Sequence, residues 1–184
     1  MKKLFFLAAF AAVLFSCGPK QLVMDELEFD YPSIYKVSHQ DQDDDLFTAL
    51  VDDGINTSMD LIFLEVMRED PEELEGADPE ILNAYLASNA YDLYEHWLPD
   101  EEFKLTKGVE NEYDVTVGEA PGSGLPEASI SISGVYYDET MYGFVYSTIV
   151  DGRYRVSAYG QASSETYLKT LEDIFRSVHV KGEK

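Results

Sequence analysis

Asp41, Asp43 and Asp45 have the spacing that comes nearest to a chemical motif in this 184-residue chain. Short carboxylates in a D-x-D-x-D run can converge on one hard cation, and such a run opens a calcium loop. The rest of that pattern is missing. Leu46 stands where the loop needs glycine for its sharp turn, and Asp52 at the twelfth position is a shorter arm than the usual bidentate glutamate. The run is therefore read as a solvated acidic turn between strands, with weak calcium binding as its alternative. A second acidic group (Glu69, Asp70, Glu72, Glu73, Glu75, Asp78 and Glu80) gathers just before the clearest helix pattern, where negative charge complements the helix N-terminus. His39, His96 and His179 fall on separate elements without the His-x-x-x-His spacing of a zinc site, so no metal is assigned to them. No serine lies in a Gly-x-Ser-x-Gly elbow, and Pro121-Gly122-Ser123-Gly124 precedes neither a Lys-Ser/Thr pair nor a helix. The expectation is a chain that is not an enzyme and binds no cofactor, a hydrolase built from scattered carboxylates being the less favoured alternative.

The tyrosines form the other concentration of functional groups. Tyr136, Tyr137, Tyr142, Tyr146, Tyr154 and Tyr159 are carried by three consecutive strand patterns, and alternation puts Tyr142, Phe144 and Tyr146 on one face. Cross-strand aromatic pairing is the favoured role. The alternative is a partly open partner surface made by Tyr136, Tyr142, Tyr146, Tyr154 and Tyr159, because tyrosine joins a broad apolar ring to a hydroxyl that tolerates water.

The single cysteine excludes an internal disulfide. It closes a leader: Met1-Lys2-Lys3 is positive, Leu4 to Phe15 is apolar, and Leu14-Phe15-Ser16-Cys17 ends the run. About a dozen apolar residues are too few to span a bilayer, which takes about 20. The junction resembles the bacterial lipobox, which implies cleavage before Cys17 and a diacylglyceryl group on its sulfur. With an amide-linked acyl chain added, the anchor would be stable. By resemblance to enterobacterial sorting rules, Gly18 after the cysteine implies the outer membrane. The same junction resembles the leaders of Bacteroidetes lipoproteins, where sorting differs, and Gly18-Pro19-Lys20-Gln21 lacks the acidic residues of their surface-export signal. A periplasm-facing protein of the cell envelope is expected.

Loss of residues 1 to 16 would leave 11 basic against 36 acidic residues, a formal charge of −25. That charge repels phosphates, so nucleic acid is excluded as a partner and membrane contact is assigned to the lipid. The organisation read from the sequence is a signal peptide (residues 1–16), a lipid-anchored tether (17–24) and one domain (25–184).

Periodicity supplies the elements. Leu27 to Pro32 and Ile34 to Val37 read as short strands and Asp41 to Asp45 as a charged turn. Leu46 to Val51 and Met59 to Met67 are strands separated by Asp52-Asp53-Gly54-Ile55-Asn56, and Pro71 to Gly76 is an acidic loop or helical turn. Asp78 as N-cap and Pro79 at the first position open a helix with Ile81, Leu82, Tyr85, Leu86, Ala90, Leu93, Tyr94 and Trp97 on its apolar stripe, ending before Pro99. Phe103 to Leu105, Tyr113 to Val117, Ala128 to Tyr137, Met141 to Val150 and Arg153 to Tyr159 are strands, with a loop at Ala120 to Gly124 and turns at Asp138-Glu139-Thr140 and Asp151-Gly152. A last helix starts at Ser163 or Ser164, and Val178 to Val180 leaves it as a strand. The class is α+β.

Leu27-Glu28-Phe29-Asp30-Tyr31-Pro32 followed by Tyr35-Lys36-Val37 resembles the opening of PsbP/Mog1-like domains, and the middle helix falls where theirs does. Tyr154 to Tyr159, Ser164 to Leu168 and the Ile174-x-x-Ser177 exit are similar to their closing strand, helix and exit. The resemblance covers residues 25 to 181. It implies an antiparallel sheet between helices, an α/β/α sandwich, and a mostly non-enzymatic family in which some members bind a GTPase, others stabilise a photosynthetic complex and many bacterial lipoproteins have no known role. The expected function is a membrane-anchored accessory or protein-binding domain with a protein partner in the envelope, the alternative being a small-ligand or calcium-binding lipoprotein.

Overall fold

The computed structural model of the protein describes residues 18–54, 60–74, 76–97, 104–105, 115–119, 126–136 and 139–182. Cys17 and its leader, Phe103, Tyr113, Tyr137 and the expected loop at 120–124 lie outside the described residues, as does the latter part of the expected turn after Gly54.

Leu22 and Met24 alternate with exposed residues, and this pattern makes strand β1, Lys20–Met24, which pairs antiparallel with β2, Leu27–Tyr31. The expected tether at 17–24 is corrected accordingly: Lys20 already lies opposite Tyr31 in the sheet. The chain then turns through Pro32 to Tyr35, closed by the Tyr35 amide donating to the Pro32 carbonyl at 3.0 Å, so Ile34 stands at a turn tip and not in a strand. β3, Lys36–Asp43, continues through Asp41 and Asp43, which corrects the expected turn at 41–45. Only Asp44 and Asp45 form the turn, Asp44 having φ 47°. The sequence hides β3 because almost every residue in it is exposed, and an edge strand with no buried face shows no alternation.

β4, Leu46–Asp52, and β5, Leu61–Arg68, follow as antiparallel neighbours. A single helical turn α1, Pro71–Leu74, leads to α2, Pro79–Trp97. Asp78 caps α2 as its sequence suggests, its carboxylate accepting the Glu80 amide at 2.8 Å. The remaining elements are β6, Lys104–Leu105; β7, Val115–Glu119; β8, Pro126–Tyr136; β9, Glu139–Val150; β10, Tyr154–Ala162; α3, Glu165–Arg176; and β11, His179–Val180. Ser164 is the N-cap of α3, its hydroxyl accepting the Tyr167 amide at 3.3 Å.

Among the described residues two antiparallel sheets result. One has the order β1-β2-β11; the other runs β3-β4-β5-β10-β9-β8-β6, with β7 also pairing β8. One face of the large sheet packs on α2 through Leu86, Ala90, Leu93 and Tyr94 against Ile130, Val145, Ile149 and Tyr159. Its other face packs on α3 and the small sheet through Phe144, Val156, Ala158, Leu171, Ile174 and Phe175. The class is α+β, with helices on both faces of an antiparallel sheet. On α2 the expected stripe is narrower than read, since Ile81 is 69% exposed.

Gly160 of β10 lies opposite Phe144 of β9, and a Cβ there would overlap the Phe144 ring. That ring is fully buried and stacked on Tyr146, with centroids 4.5 Å apart, so it has nowhere to swing. Gly160→Ala is therefore expected to cost about 1–3 kcal/mol as overpacking, read as a lower urea midpoint. An unchanged midpoint would show that the ring adapts.

Candidate functional site

Strand alternation places Tyr142, Phe144 and Tyr146 on one face of β9, and the stacking of Phe144 on Tyr146 fits it. That face is not an open aromatic surface. α3 closes over it: Phe175 meets Tyr146 with centroids 5.3 Å apart, and the Arg176 guanidinium lies 4.5 Å from the centre of the Tyr146 ring. The Tyr146 hydroxyl donates to Glu172 at 2.9 Å, and Arg176 forks onto Glu127, one arm at 2.8 Å. Glu127 is only 5% exposed, so this bidentate pair supplies the charge that a buried carboxylate requires. Burial first, then the Glu172 hydrogen bond, pushes the Tyr146 phenol well above its ordinary range.

Tyr154 and Tyr159, expected to contribute to a partner surface, are each 2% exposed, which corrects that expectation. Tyr154 faces the α3 core, its hydroxyl donating to Glu26 at 3.3 Å, while Tyr159 faces α2 and donates to Gln161 at 2.9 Å. Tyr142 is half-buried, and the Tyr136 side chain lies outside the described residues. Of the five tyrosines, the structure gives two to the interior and a third, Tyr146, to the contact with α3.

A polar network that the sequence pattern does not show sits between β5, β10 and α2. Arg155 is buried, and its guanidinium donates to Glu65 at 3.0 Å and to Glu69 at 3.2 Å. Glu69 also accepts the Tyr85 hydroxyl at 2.5 Å, and the Tyr85 ring lies 6.0 Å from Arg155. Beside it the Ser147 and Ser157 hydroxyls share a hydrogen bond of 3.0 Å. These groups are each other's partners in a confined space, which is a structural arrangement. Glu69 thus leaves the acidic group in which its sequence position placed it. Asp70 and Asp78 in that group cap amides, of Glu72 at 2.9 Å and of Glu80 at 2.8 Å, and Glu75 lies outside the described residues.

The aspartates of the 41–45 run do not converge. Asp41 lies opposite Thr48 and Asp43 opposite Leu46 on the edge strand, whereas Asp45 pairs with Arg68 at 3.4 Å. His39 is exposed on β3, His96 is exposed near the end of α2, and His179 lies opposite Glu28 on β11. Among the described residues no three His, Cys, Asp or Glu side chains are grouped to hold a metal.

An open groove of about 500 Å³ lies between the Pro32–Ile34 turn and α3. Pro19, Pro32 and Ile34 form one wall, and Thr170, Asp173 and Ser177 the other. Ser177, the serine of the Ile-x-x-Ser exit, holds the two walls together. Its hydroxyl accepts the Asp30 amide at 2.8 Å and donates to the Ile174 carbonyl at 2.6 Å. At the other end, buried Asp60 accepts both the amide and the hydroxyl of Ser163, at 2.7 and 2.9 Å, and so fixes the start of α3. Tyr35 sits beneath the turn, fully buried; burial, then Asp60 and Asp53, pushes its phenol up to about 12.

No family model matches the chain, and no curated protein does. Solved structures do. A protein of Bacteroides thetaiotaomicron aligns with 91% of this chain at a TM-score of 0.52 and 8% identity. The likeness is one of fold. The chain spans about half of that protein's length, 50%. LpqN of Mycobacterium tuberculosis, described as involved in cell envelope biogenesis, aligns over 89% of this chain and 90% of its own at a TM-score of 0.44 and 9% identity. A Pseudomonas aeruginosa protein of unknown function aligns over 86% and 92% at 0.33 and 11%.

Two outcomes follow from the buried groups. Arg155→Ala strands Glu65 and Glu69 without their cation and is expected to cost about 2–3 kcal/mol, the carboxylates being partly hydrated, measured by urea unfolding; no loss would mean that the network is ornamental. The second concerns pH. With the Tyr35 pKa raised from 10.0 to about 12, the unfolded chain releases this proton first, so stability is complete below pH 10 and falls as pH rises towards 12. The slope from Tyr35 alone is up to about 1.4 kcal/mol per pH unit. Tyr35→Phe should flatten it, and identical slopes in the two proteins would contradict the burial argument.

Proposed function

We propose that this protein is a lipid-anchored accessory domain of the bacterial cell envelope that acts by binding another protein and is not an enzyme. The observation that carries the proposal is the junction Leu14-Phe15-Ser16-Cys17, followed within three residues by paired β structure at Lys20. A processed, acylated Cys17 would then be both the N-terminus of the mature chain and its membrane attachment. The described helices include none long and apolar enough to cross a membrane, and under this proposal the lipid takes that role. The PsbP/Mog1-like order of strands and helices is compatible with the observed layering and with a role in docking.

The fate of the chemical groups supports the non-enzymatic part. The Arg155, Glu65, Glu69 and Tyr85 set and the Glu127, Arg176, Tyr146 and Glu172 set are closed on themselves, which suits holding helices to a sheet better than turning over a substrate. The strongly acidic chain favours a partner with basic residues at the contact.

Crosslinking intact cells that produce the full-length chain, with Cys17→Ala as control, followed by denaturing purification and mass spectrometry, tests the proposal. One envelope protein captured reproducibly by the parent and not by the variant is the expected result. Repeated capture of nothing would contradict it.

A further inference from the structure

We infer that the edge formed by the Pro32–Ile34 turn and the outer side of α3 rests on the bilayer that holds the Cys17 lipid, so that the adjoining groove faces headgroups. This inference rests on the lipoprotein proposal and adds an orientation to it.

The argument begins with covalent geometry. Neighbouring Cα atoms are about 3.8 Å apart, so the Cα of Cys17 lies within about 7.6 Å of that of Pro19, whatever the backbone does. Pro19 is a wall of the groove. There is no slack beyond it, because Lys20 is already in register with Tyr31. Its ammonium also donates to the Tyr35 carbonyl at 3.3 Å and lies 5.8 Å from the Tyr31 ring centre. The chain therefore leaves the fold beside the Pro32–Ile34 turn in a fixed place, and acyl chains on Cys17 would bring this edge, and not the α2 side, to the lipid.

The composition of the edge suits an interface between water and hydrocarbon. Four large apolar side chains are exposed among the described residues, and two are here: Ile34, 65% exposed at the turn tip, and Tyr167, 47% exposed. Tyr167 precedes Thr170, a groove residue, by one turn of α3, and its hydroxyl is close enough to Tyr35 to raise that phenol's pKa. Tyrosine at such a level keeps its ring in the apolar boundary and its hydroxyl among headgroups. Ile34, between Pro32 and buried Tyr35, holds most of its side chain in water at the turn tip, and insertion into lipid would remove that apolar surface from water.

Charge selects the kind of bilayer. Lys20, the Lys169–Asp173 ion pair at 3.9 Å and Asp30, which accepts from Gln21 at 3.1 Å, put both signs of charge on the edge, a mixture matched to zwitterionic headgroups that carry both a phosphate and an amine. The formal charge of −25 on residues 17–184 opposes a strongly anionic surface. The occupant is accordingly a zwitterionic phospholipid surface.

The full-length lipidated protein provides the test, because an acylated Cys17 leaves no other thiol. Ile34→Cys, Tyr167→Cys and Ile81→Cys would each carry one environment-sensitive fluorophore, in vesicles of phosphatidylethanolamine and phosphatidylcholine containing a nitroxide-labelled lipid quencher. Ile81 lies on α2, across the sheet. Blue-shifted emission and several-fold stronger quenching at positions 34 and 167 than at 81 are expected, and two sites guard against the loss of one anchor. Equal, water-like behaviour at all three, with Cys17 of the parent chain unreactive towards the fluorophore, overturns the orientation and leaves the lipoprotein proposal standing. A blue shift at 34 and 167 without lipid quenching also overturns it, since a protein would then cover the edge. Labelling of Cys17 in the parent chain overturns both.

Discussion

A strand with no solvent face constrains everything else in this molecule. β10 lies between β5 and β9, with α2 on one side and α3 on the other, and eight of its nine residues are buried. Tyr154, Val156, Ala158 and Ala162 belong to one core and Tyr159 to the other, so neither layer is independent of this strand. Its polar residues had to find partners at these positions: Arg155 took Glu65 and Glu69, and Ser157 took Ser147. Gly160 had to remain glycine for Phe144 to lie flat across it.

That constraint explains where the functional groups went. A strand pattern rich in tyrosine looks like a binding surface when only its composition is read, yet two layers of helix turn most of it inward. Among the described residues, what is left outside includes acidic surface and an open groove. The groove owes its shape to Ser177 and Asp60, which fix the two ends of α3 against β2 and against the start of β5. Under the proposal of a lipid anchor, the functional end of the protein would be its attachment end, and the large sheet with α2 would be the part presented to a partner.

The fold was legible where one face of an element is buried and its period survives. α2, α3, β4, β5 and the β8 to β10 meander stand close to their expected places, and the caps Asp78 and Ser164 were visible as residue types. β3 was not, because exposure on both faces removes the alternation on which a strand assignment depends. β1 carried a signal in Leu22 and Met24, but five residues after a lipobox read as tether. The site was less legible than the fold. The Arg155 network joins residues 65, 69, 85 and 155, and nothing local announces a pairing across such separations. Ser177 lay in the Ile-x-x-Ser exit, a pattern that gives the position of a helix end without the β2 amide that it binds.

The central claim, that the folded chain is held at the membrane through the residue three places before its first strand, reduces to one number. The intact mass of the protein extracted from cell envelopes is expected to be that of residues 17–184 carrying a diacylglyceryl group and an amide-linked acyl chain. A mass that begins at Met1, or one cut elsewhere with an unmodified thiol, would contradict the account.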